Sequence, residues 1–207
     1  MTENYVWFSD AMRDMNLAIA MYNDLRDIAI SQGKRYGHQS TKGDVLGKEC
    51  FPKNFWWNKS RRKNKKLTPF WSANDYWGVN GTAAEIMRRY DLGRCSLYPV
   101  EVLDRKDGEP VGGEYFCLNF CNVKSAFVPE ASPATKRSVH DETKWRVISE
   151  TSDWDIGVSK AALDGPDIWV DPILPRHFFL GKALGDEIVK AKLNKSFSLR
   201  KAAVVES

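Results

Sequence analysis

Alternation and helical spacing of apolar residues divide the chain into predicted elements. "YVWF" at residues 5–8 is short, aromatic and β-branched, which predicts an opening strand. Met15, Ala18, Ile19, Tyr22, Leu25 and Ala29 then recur at spacings of three and four. This predicts an amphipathic helix running from Met12, with Ser9 or Asp10 as its cap and Gly33 as its stop. Residues 33–66 lose periodicity and hold repeated glycine and polar turn signals, predicting an irregular stretch. In "NGTAAEIMRRYDLG", Thr82 and Glu85 have capping-box spacing, Ile86, Met87 and Tyr90 form an apolar stripe, and Gly93 stands where a left-handed stop belongs.

The pattern turns to period two over residues 96–128. Two β-rich runs flank a turn segment containing Asp107-Gly108 and Gly112-Gly113, which predicts an antiparallel hairpin with a long loop. In the second run Phe116, Leu118 and Phe120 alternate with Tyr115, Cys117, Asn119 and Cys121. Neither face is fully polar, so this strand is expected to be covered on both sides. Short strands follow at 144–149 and 167–171. Apolar positions from Phe178 to Leu193 predict a late helix, and "SFSLRKAAVV" predicts a closing strand. No βαβ repetition occurs. The expected fold is therefore α+β, with a mixed, mainly antiparallel sheet and flanking helices, in a single domain over residues 1–207.

Composition agrees with a folded chain. Of 207 residues 43% are hydrophobic, and the mean hydropathy is −0.48. Cys50, Cys95, Cys117 and Cys121 lack CxxC spacing and sit in apolar contexts, which predicts reduced, packed thiols. The first residues show no basic leader followed by an apolar run, and no stretch approaches the ~20 apolar residues of a membrane span. A cytoplasmic protein without membrane partners is expected. No heptad pattern marks a dimer, so the oligomeric state stays open.

Charge changes the picture locally. The net charge is +4, yet Lys53 to Lys66 carry seven basic residues and no acidic one, so the rest of the chain is net acidic. Within the irregular basic segment of about 33–70, "FWWNKSRRKNKKLTPFW" (55–71) sets Arg61, Arg62, Lys63, Lys65 and Lys66 between Trp56–Trp57 and Phe70–Trp71. Three readings fit this composition. It can be a solvated loop anchored by its tryptophans. It can hold single-stranded nucleic acid, with cations on phosphates and aromatic faces on bases. It can also meet an acidic protein partner, because positive patches steer association and Trp and Arg are frequent binding anchors.

Catalytic patterns are absent from the sequence. His38, His140 and His177 stand apart without HxH, HxxxH or HExxH spacing, so no metal is expected. Cys117 and Cys121 lie about 13 Å apart if both sit on one strand, too far for a shared ligand or a disulfide. His140-Asp141 matches the opening of a metal-dependent phosphohydrolase motif but lacks further ligands, and reads as a surface turn. There is no GxGxxG, GxxxxGK[ST] or GxSxG. Asp153, Asp155, Asp164, Asp167 and Asp171 crowd one region beside tryptophans, and read as solvent-exposed or partner-facing rather than as an acid–base pair. No cofactor is expected.

The order of segments carries a further signal. A capped helix runs into "LGRCSLYPVEVLD", followed by "EYFCLNFCNVKSAFVPEAS" and a terminal "IWVDPILPRHFFLGKALGDEIVKAKLNKSFSLRKAAVV". This order resembles the immunity-protein domain family first delineated in myxobacterial proteins and found beside polymorphic toxins. The resemblance covers about residues 76–205. It implies a small α+β protein without enzymatic activity that protects its producer by binding a cognate toxin. Trp56, Trp57, Arg61, Arg62 and Lys63 are the candidate partner contacts, with Lys65 and Lys66 as steering charges. This choice rests on composition, not on the resemblance. A nucleic-acid-binding module using residues 55–71 is the alternative.

Overall fold

Side-chain alternation in β1 (Tyr5–Ser9) organises the first sheet: Trp7 enters one core cluster, while Val6 and Phe8 enter another on the opposite face. A computed structural model describes residues 4–58 and 67–206. After β1 come β2 (Met21–Asn23), α1 (Arg26–Ser31), α2 (Tyr36–Ser40), β3 (Asn54–Trp57), β4 (Phe70–Ala73), β5 (Tyr76–Asn80) and α3 (Gly81–Met87). The middle of the chain forms β6 (Ser96–Asp104), β7 (Tyr115–Asn119), β8 (Thr135–Arg137), β9 (Trp145–Val147) and β10 (Gly157–Ser159). Last are β11 (Ile168–Trp169), β12 (Phe178–Leu180), α4 (Lys182–Lys190), α5 (Asn194–Phe197) and β13 (Leu199–Val205).

These elements make an α+β fold. One sheet has the order β10-β13-β1-β12-β11, a second has β2-β3-β6-β7-β5-β4, and β8 and β9 form a separate pair. Pairing is antiparallel except for β10 with β13 and β3 with β6. The predicted hairpin is β6 with β7, and β7 is buried along its whole length, covered on both faces as expected.

The second sheet closes on itself. The Ile19 N–H donates to the Ser72 carbonyl at 2.7 Å, while β2 pairs with β3 at the opposite edge. Residues 18–23 thereby join the two edges around a core of Phe55, Trp57, Trp71, Val102, Tyr115 and Cys117. Closure leaves few exposed edge groups to template aggregation. On the outer face of this sheet Phe70, Trp77, Phe116 and Leu118 pack with Trp7, Phe178, Leu184 and Phe197, so one apolar layer joins both sheets. Helix α4 lies close over β1: a Cβ added at Gly185 would collide with the Trp7 indole, so only glycine permits this approach.

The expected helix from Met12 does not form. The Asp14 carboxylate accepts the Asn16 N–H at 2.8 Å, and the chain makes two 3-10 turns, Ala11–Arg13 and Met15–Leu17. Leu17, Ile19, Met21 and Asn23 then alternate inward, while Met15, which helical spacing would bury, is 77% exposed. The same residues satisfy both periods, and an open position beside β3 selects the strand. Only Arg26–Ser31 becomes helical.

Three other boundaries shift. Asn80, not Thr82, caps α3, its side chain accepting the Ala83 N–H at 3.0 Å. Gly93 is left-handed, with φ of 53°, but follows a turn beyond the helix and is not its stop. The late helix begins at Lys182, because Phe178 and Phe179 are claimed by β12 pairing with β1 and β11. The stretch 33–66, expected to be irregular, contains α2 and β3.

Candidate partner-binding surface

Strand β3 separates the two tryptophans that the sequence sets side by side. In the register Trp57 opposes Met21 and Asp104, and its ring is 2% exposed inside the closed sheet. Trp56 opposes Tyr22 and Leu103 on the outer face, half-buried, with its ring centroid 5.7 Å from that of Tyr22. Trp57 therefore anchors the strand, and Trp56 is the aromatic a partner can reach.

Arg61, Arg62, Lys63, Lys65 and Lys66 lie outside the described residues. Their two anchors are described. Leu67 is buried in the same core cluster as Trp57, so the described residues on either side of the segment share one core. The Trp57 carbonyl accepts the Arg105 N–H at 3.0 Å, which brings Arg105 and Lys106 to the C-terminal end of β3. Sequence reasoning passed over these two cations because they stand forty residues from the run and inside a hairpin loop. It also passed over Tyr22, whose strand was read as helix. Its phenol donates to Asp27 Oδ2 at 2.8 Å, which raises its pKa above the ordinary tyrosine value.

The other candidate groups serve structure. Asp171 is buried: its Oδ2 accepts the Ala126 and Phe127 N–H groups at 2.8 Å each, and its Oδ1 accepts that of Ile173 at 3.0 Å. Asp153, Asp155 and Asp167 accept backbone N–H groups of Lys201, Ser152 and Asp91. These carboxylates fasten loops, which corrects the expectation that the whole cluster faces solvent or a partner. Asp141 accepts the Thr143 N–H and hydroxyl in the surface turn expected there, and those bonds hold its carboxyl below the usual carboxylate range.

His177 is buried, with its Nδ1 3.3 Å from Asp10 Oδ1. Burial, reinforced by the Arg13 charge, pushes its pKa down to about 3. All four cysteines are free thiols, and burial raises Cys95 to about 11. Among the described residues no group of three or more His, Cys, Asp and Glu side chains could hold a metal ion, and no helix is long and apolar enough to cross a membrane.

Residues 8–204, nearly the whole chain, match the family described as "Immunity protein family (Imm11)". No curated protein matches the chain.

Proposed function

We propose that this chain, which belongs to the immunity protein family (Imm11), binds a cognate toxin in the cytoplasm of its producer and neutralises it by non-covalent occlusion, without an enzymatic step of its own. The observation that carries this reading is the family match across nearly the whole chain. The sequence and the strand before it support it: six cations stand between Asn58 and Leu67 in the sequence, and Trp56 near the end of β3 is half-buried on the outer face. Charges of this kind raise the rate of encounter, whereas a few desolvated aromatics or arginines slow dissociation. The contacts assigned are Trp56, Arg61, Arg62 and Lys63, steered by Lys65 and Lys66, with Trp57 holding the strand from inside.

The test is co-expression with a candidate cognate toxin domain, read as survival, together with pull-down from nuclease-treated lysate at low and high salt. Survival and a stoichiometric toxin that resists nuclease are expected. Combined Arg61→Glu, Arg62→Glu and Lys63→Glu should weaken capture at low salt. Undiminished capture would refute the assigned surface. A chain that neither protects nor binds refutes the function, and partners lost together with nucleic acid favour a nucleic-acid-binding module instead.

A further inference from the structure

The ribbon of β8 and β9 stands outside both larger sheets and carries a charge arrangement that its own fold does not favour. In its register Lys136 lies directly opposite Arg146, and both are exposed. Directly opposed residues hold their Cβ atoms about 5 Å apart, and like charges so placed destabilise the pair. A two-stranded ribbon is marginal to begin with. This one is held by its other face: Thr135 and Val147 are buried, the Trp145 ring packs edge-on to Phe127 with centroids 6.3 Å apart, and the Trp145 N–H donates to the Ile173 carbonyl at 2.7 Å.

Among the described residues nothing relieves the repulsion. Neither Lys136 nor Arg146 has a carboxylate within ion-pair distance, and the flanking Glu130 and Glu150 pair with neither. Glu150 instead lines a cavity with Arg13 and Arg200. The hairpin's own carboxylates, Asp141 and Glu142, both stand in the connecting turn, where Asp141 accepts the Thr143 N–H and hydroxyl. The hairpin's other cations are engaged: Arg137 lies 5.4 Å from the Trp145 ring centroid, and Lys144 donates to the Pro172 carbonyl at 3.0 Å. Lys136 and Arg146 therefore present an uncompensated pair, bordered by Ile148, the next outward position in the alternation, which is 41% exposed.

We infer that the outward face of this ribbon, Lys136 and Arg146 with Ile148 at the border, is a docking surface for a protein patch that carries neighbouring carboxylates. The inference rests on the toxin-binding reading and adds a second contact to it. A carboxylate seated between the two cations turns their repulsion into attraction, so the complex recovers ribbon stability that the free chain gives up. Single-stranded nucleic acid suits the face less: its border is aliphatic, and no ring stands free to stack, because Trp145 is turned toward Phe127.

The experiment uses the full chain and an inactivated candidate cognate toxin domain. Lys136→Glu and Arg146→Glu are each compared with the unaltered chain, and Lys192→Glu, at an exposed cation just past α4, controls for net charge. Each ribbon variant sets opposite charges across the strands, so it should melt no lower than the unaltered chain. It should nevertheless bind about tenfold more weakly at about 50 mM salt, with the difference shrinking at about 0.5 M. The control should keep the affinity of the unaltered chain. Unchanged affinity of either ribbon variant, or an equal loss in the control, overturns the inference. So does a melting temperature that falls with affinity, which would make the pair structural, and so does binding of a random-sequence DNA duplex that both variants abolish, which would make nucleic acid the occupant. An unaltered chain that does not bind the toxin domain overturns the toxin-binding reading and this inference with it, whereas toxin binding that the ribbon variants leave intact overturns the inference alone.

Discussion

Protonation of His177 should control the acid stability of this protein. Its side chain is 2% exposed at the start of β12, packed on Phe8 with ring centroids 4.9 Å apart and its Nδ1 facing Asp10. Burial holds the folded pKa near 3, against about 6.5 in an unfolded chain. The unfolded state therefore binds more protons between these values, so stability is full at neutral pH and falls as pH drops through about 6.5 toward 3. Up to one proton is involved, which corresponds to about 1.4 kcal/mol per pH unit and about 2 kcal/mol between pH 7 and pH 5. That is a large share of a typical total of about 5–15 kcal/mol. Asp10 acts in the opposite sense: burial raises its pKa, so the folded state takes up its proton more readily and gains stability as pH falls. Urea unfolding followed by tryptophan fluorescence at pH 7 and pH 5 measures the net effect. The His177→Asn variant should show a flatter pH dependence, and Asp10→Asn a steeper one. Equal losses of stability between the two pH values for the His177→Asn variant and the unaltered chain would refute the reasoning, since the fall would then come from other groups, including His38, which burial also depresses.

The two adjacent tryptophans should separate in mutational scans. Trp57→Ala empties the interior of the closed sheet and should cost about 3–5 kcal/mol, while Trp56→Ala should cost far less stability and show its loss in partner affinity, read by urea unfolding and toxin binding. Gly185→Ala forces α4 off the Trp7 indole and should lower stability by about 1–3 kcal/mol in a calorimetric scan. An unchanged melting temperature would mean that the helix can slide without losing the layer between the sheets.

Periodicity alone determined several features. The β6–β7 hairpin, a β7 covered on both faces, and the existence, though not the bounds, of the helix Gly81–Met87 and the closing strand Leu199–Val205 are written in local alternation and spacing, because those elements are chosen by their own residues. The basic character of 59–66 is likewise a property of sequence. Tertiary structure decided what periodicity leaves degenerate. Residues 17–23 fit a helix and a strand equally well, and the vacant edge beside β3 made them the strap that closes the sheet. Trp56 and Trp57 are identical in composition, but register with β2 and β6 sends one outward and the other into the core. Arg105 and Lys106 come to the C-terminal end of β3 through one backbone hydrogen bond, although they stand far from it in sequence. Local sequence sets what each residue prefers, whereas long-range pairing, which has no local signature, sets which preference is realised and which side chains a partner can meet.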